Sequence, residues 1–163
     1  MNKKTKVLAL CLALFMTMLM LVSCGSTTLR KLEPQEGVQK VELDGSCSLE
    51  AQDGVLRINF SSNLQNGAIV RFTVDDYQGK ELAAKEYAVS AENIYAEFEI
   101  DPSWSGIVYG TVQCSPQVGS QPDEVEELYG KYFQNIDGDH VIWNEGCQGY
   151  LPYGRLYLQS GSG

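Results

Sequence analysis

Histidine is nearly absent from this 163-residue chain, which has His140 alone. A two-histidine metal site is therefore excluded within one chain, and a nucleophilic triad has a single base to draw on. Basic residues are also scarce, with 12 against 21 acids and a net charge of −9. Phosphate backbones need a positive face, and none can be assembled here, so nucleic acid is not an expected partner. No Gly-x-Ser-x-Gly elbow, phosphate loop or dinucleotide fingerprint occurs. The five cysteines include no C-x-x-C pair, the usual signature of structural zinc. Neighbouring carboxylates such as Glu97 and Glu99 read as a solvated acidic strand face rather than a glycosidase pair. The expectation is a protein without metal, cofactor or catalytic site. A surface hydrolase using His140 or Cys147 is the alternative.

Acids are missing altogether before Glu33, while Lys3, Lys4 and Lys6 crowd the first six residues. Between them runs Val7–Val22, apolar apart from Thr17 and short for an ordinary membrane span. It ends in Leu21-Val22-Ser23-Cys24-Gly25. This arrangement resembles the lipobox of bacterial lipoproteins. The resemblance implies removal of residues 1–23 and lipidation of Cys24, whose thiolate is the nucleophile alkylation needs. Two acyl chains anchor stably where one gives marginal binding, at about 0.8 kcal/mol per buried methylene. It also implies a lipid-anchored protein on the extracytoplasmic face of the cell membrane. Residues 24–37, polar and bearing Pro34 and Gly37, read as the lipidated cysteine and a tether. The remaining 140-residue product carries nine basic and 21 acidic groups, a net charge of −12.

From residue 38 the apolar period is two. Leu56, Ile58 and Phe60 alternate with more polar neighbours, as do Ala68 to Val74, Ile94 to Ile100 and Val108 to Cys114. Asp53-Gly54, Asn66-Gly67, Gln78-Gly79 and the stretch from Pro102 to Gly106 punctuate the runs. Short strands at such intervals predict a mainly β fold, an antiparallel immunoglobulin-like β-sandwich over 38–116. One short helix is expected over 121–130, with Pro122 in its first turn and Val125, Leu128 and Tyr129 as its apolar side. It opens a segment, 117–163, expected to pack on the sandwich. Asn63-Leu64-Gln65-Asn66-Gly67 and Gln121-Pro122-Asp123-Glu124-Val125-Glu126-Glu127-Leu128 resemble motifs of small immunoglobulin-like domains in Gram-positive surface proteins. That resemblance speaks to fold and carries no chemistry.

Three cysteines follow Cys24. Cys47 and Cys147 are the candidate disulfide pair, tying the C-terminal segment to the first strand; the alternative is three thiols, with Cys114 a small core residue. Asn135 to Asp139 begins like a calcium loop but has His140 where glycine is required and Gly146 where glutamate is required. Seven of the fifteen aromatics after Cys24 fall between Tyr129 and Tyr157. They either cover the open end of the sandwich, with 155–159 as a last strand, or form a ligand surface of Trp143, Tyr150 and Tyr153. The functional expectation is a non-catalytic binding or accessory module, with an envelope protein or a carbohydrate as partner. A structural subunit or inhibitor in an envelope complex is the further alternative.

Overall fold

The computed structural model describes residues 32–144 and 146–159. The expected signal segment, Cys24 and most of the expected tether lie outside them. The chain folds as β1 (Val41–Glu42), β2 (Gly45–Gln52), β3 (Val55–Ser62), β4 (Ile69–Asp76), β5 (Glu81–Ala88), β6 (Asn93–Glu99) and β7 (Gly106–Gln113). Then come α1 (Asp123–Tyr129), β8 (Ile136–Asp137), β9 (Val141–Asn144), β10 (Cys147–Tyr150) and β11 (Tyr153–Leu158). Among the described residues the fold is the expected antiparallel, immunoglobulin-like sandwich with one short helix. One sheet has the order β2-β3-β6 and the other β11-β7-β4-β5.

Alternation builds the core. Leu56, Ile58 and Phe60 from β3 and Ala96 and Phe98 from β6 point inward. They meet Val70, Phe72 and Val74 from β4 and Val108 and Val112 from β7. Phe60 and Phe72 touch edge to face across the sheets, their ring centroids 6.2 Å apart. Each such side chain contributes about 1.5–3 kcal/mol on burial. Asp53 and Gly54 join β2 to β3 with φ of 51° and 75°, the positive values a two-residue hairpin turn needs to match strand twist. Gly110 and Gly154 let the sheets approach: a Cβ at either would lie 2.7 Å from Leu49 Cδ1.

The seventh strand of the sandwich is β11, beyond the expected boundary at 116. It pairs antiparallel with β7, from Tyr153 opposite Thr111 to Leu158 opposite Gly106. The intervening segment 114–152 holds α1, β8 and the β9–β10 hairpin at the end of the sandwich where β7 finishes. It is stitched down by polar groups. Gln121 Oε1 accepts from the Ile69 amide (3.0 Å), while its Nε2 donates to the carbonyls of Ile69, Ser115 and Val118. Tyr129 Oη accepts from the Gln65 amide at 2.6 Å. The two motifs singled out in the sequence thus meet in space. Val125 and Tyr129 anchor α1 in the core, whereas Leu128, expected on the same apolar side, is exposed.

The chain arrives at the same end. The Gln35 amide donates to Asn135 Oδ1 (3.1 Å), the Val41 amide to the Asn135 carbonyl (2.7 Å) and the Leu43 amide to the Asp137 carbonyl (2.8 Å). β1 and β8 pair in parallel, and Lys40 Nζ meets Asp137 Oδ2 at 2.8 Å.

Candidate functional site

The three aromatics expected to form one ligand surface occupy three environments. Tyr150 is fully buried, because the bridge between Tyr150 and Cys114 draws β10 against the end of β7 and sets its ring 6.4 Å from Phe60. Burial pushes its phenol up to about 12, and its Oη has no hydrogen-bond partner among the described residues. Trp143, on β9, is half-buried, with its indole N–H buried and without a partner among the described residues. Tyr153, on β11, is exposed. Tyr150 is therefore a core residue, and only Tyr153 is available to a ligand as a broad aromatic face.

The polar candidates are also dispersed. His140 is half-buried and meets the Tyr150 ring at a centroid distance of 6.1 Å, edge to face. The carboxylate of Asp137 faces Lys40 and takes the Gly138 amide. Among the described residues, no group of three or more His, Cys, Asp or Glu converges in a way that could hold a metal. Cys47, Cys114 and Cys147 are thiols, and Cys47 and Cys147 are not joined. The Cys47 thiol points between the sheets and donates to the Gly110 carbonyl at 3.6 Å. Cys147 is buried in the β9–β10 hairpin, beside a cavity of about 20 Å³ that it shares with Gln113 and Ser115. Burial pushes the Cys47 and Cys114 thiols up to about 12, which keeps both protonated and unreactive at neutral pH.

The outer face of the β11-β7-β4-β5 sheet is where aromatic groups gather in solvent. Tyr153 and Tyr157 are 62% and 69% exposed. Four residues apart on one face of β11, they stand about 13 Å from each other along the strand. Arg155 lies between them, opposite half-buried Tyr109, and Tyr157 lies opposite exposed Ile107. Beyond them Asp75 accepts from the hydroxyls of Thr73 (3.0 Å) and Thr111 (3.4 Å). Arg71 is held by Glu81 and Glu86, whereas Arg155 makes no ion pair among the described residues.

No family model matches this chain, and no curated protein does. Geometry and chemistry alone therefore speak for the site. A flat face with two tyrosines framing an arginine suits stacking and hydrogen bonding against a ligand that stays outside the fold. Tyr157 and Arg155 were not among the residues singled out as a surface. Their signal was the same period of two that revealed the other strands: Tyr153, Arg155 and Tyr157 alternate with Gly154, Leu156 and Leu158.

Proposed function

We propose that this protein is a surface lipoprotein whose sandwich serves as a non-catalytic binding module. Acyl chains on Cys24 hold it to the extracytoplasmic face of the cell membrane. The outer face of the β11-β7-β4-β5 sheet meets its partner, an envelope protein or a carbohydrate. The observation that carries the binding reading is the exposed row Tyr153, Arg155 and Tyr157 with Ile107 and Tyr109 beside it. Tyr and Arg dominate the energetic centres of binding surfaces, because each offers large contact area together with directed hydrogen bonds.

The anchor supports this reading geometrically. The described chain begins at the end of the sandwich that carries the 114–152 segment. β11 runs from that end towards the opposite one, so Tyr157 stands farther than Tyr153 from the end where residues 35–43 join the sandwich. The charge supports it too. A body at −12 is repelled by anionic lipid headgroups, and a covalent anchor overcomes that repulsion while leaving the sheet faces free.

A photoreactive amino acid placed at position 153 or 157 in intact cells tests the face, with position 48 on the other sheet as reference. Discrete adducts from 153 and 157 but not from 48 are expected. Adducts from 48 alone, or none from any position, would overturn it. Cys24→Ser tests the anchor in the same cells: the protein should leave the membrane fraction, and full retention would contradict lipidation.

A further inference from the structure

The sandwich is open along the side between β5 and β6. Among the described residues each is an edge strand, β5 paired only with β4 and β6 only with β3. Between them and the loop that follows β6 lies a cleft of about 600 Å³. Val55, Ala83, Phe98 and Trp104 give it apolar walls. Trp104 is held by a tight turn, its amide donating to the Asp101 carbonyl while Asp101 Oδ1 takes the Ser103 amide, both at 2.8 Å.

The polar groups of the cleft favour a cation. Glu99 and Asp101 line it, and among the described residues neither meets a lysine or arginine. The carboxylate of Glu97 is already taken by Arg57. One ammonium of the chain itself shows how such a group sits here: Lys85 Nζ lies 5.2 Å from the Phe98 ring centroid and donates to the Glu97 carbonyl. Trp104 offers a second and stronger aromatic face for the same kind of contact.

The backbone of β6 favours an extended ligand. The Ser62 amide bonds the Glu92 carbonyl, and the Ile100 amide bonds the Gly54 carbonyl. Even-numbered residues of this strand therefore turn their main-chain groups towards β3. By antiparallel alternation those of Asn93, Tyr95, Glu97 and Glu99 face the open edge. Lys85 covers only the Glu97 carbonyl. The net charge of −12 on residues 24–163 adds a long-range field of the same sign as the two carboxylates.

We propose that this cleft docks an extended basic segment of a partner protein. The segment runs along the free edge of β6 and sets a lysine or arginine against Trp104, Glu99 and Asp101. Main-chain bonds to the edge supply affinity, and the carboxylates and indole select the cationic side chain. The site is separate from the tyrosine face and does not depend on it.

The chain has two tryptophans, so Trp143→Phe leaves Trp104 as the sole indole reporter. The full chain in detergent micelles is titrated with an octapeptide alternating lysine and valine, and with its glutamate–valine counterpart. A saturable change in Trp104 emission is expected with the lysine peptide only. Glu99→Gln with Asp101→Asn should weaken binding about tenfold, whereas Glu124→Gln with Glu127→Gln on α1, an equal change in charge, should alter it less than about twofold. All four acids are exposed, and thermal melts check that both variants fold. No saturable signal would overturn the proposal, as would equal weakening by the two double variants, which would leave only diffuse attraction.

Discussion

Gly110 sits on the inward side of β7, where every neighbour on the same face is a larger apolar residue. A Cβ there would fall 2.7 Å from Leu49 Cδ1 and 3.0 Å from Ile58 Cδ1. Gly110→Ala should therefore destabilise the fold by about 1–3 kcal/mol, the usual range for overpacking a filled core, as measured by urea unfolding. A neutral effect would mean that Leu49 can move aside. The thiols give a second residue-scale expectation. Folding raises Cys47 and Cys114 from an ordinary 9.0 to about 12, so the folded state holds these protons more tightly than the unfolded chain. The stability they contribute is complete below pH 9 and declines as pH climbs towards 12. Melting temperature should fall across that window, and fall less steeply in Cys47→Ala with Cys114→Ala. That Gly110 belonged to the apolar face was legible from its spacing. That it makes room for Leu49 was not, because the partner comes from the other sheet.

Elements were legible wherever one face is wet and the other dry. β3, β4, β6 and β7 alternate because water and core impose opposite demands on successive residues. β10 carries no such pattern: Cys147, Gln148, Gly149 and Tyr150 are all buried, between the end of β7 and the 129–136 stretch. A four-residue strand covered on both faces has no period to read, so the Tyr150 ring looked as available as that of Tyr153. The contact between residues 65–69 and the 121–129 segment was hidden for a different reason. Its groups are polar and far apart in sequence, and they bond through Gln121 and Tyr129 rather than through a hydrophobic repeat. Gln121 is buried, and its amide serves four backbone groups. Gln121→Ala should cost about 2–3 kcal/mol, since truncation strands buried donors and acceptors. Hydrogen exchange should place the loss locally, with faster exchange at the Ile69 amide. Unchanged exchange there would show that water replaces the side chain without penalty.

At the scale of the whole molecule, the fold has two unlike ends. One receives the chain at Gln35 to Leu43 and carries α1 with Asp123, Glu124, Glu126 and Glu127. The other carries the 53–54 and 77–80 turns and the loop with Trp104. Tyr157 and the cleft both lie towards that second end. The scarcity of bases and of histidine is visible in the sequence, with 12 Lys and Arg against 21 acids and His140 alone. The charge is divided along the chain: residues 1–23 carry three lysines and no acid, and residues 24–163 carry nine basic and 21 acidic groups. The most direct measurement is the intact mass of the protein extracted from the membranes of cells that make it. A chain beginning at Cys24 and bearing a diacylglyceryl group is the predicted result. A chain that retains residues 1–23, or that begins elsewhere without lipid, would contradict the account.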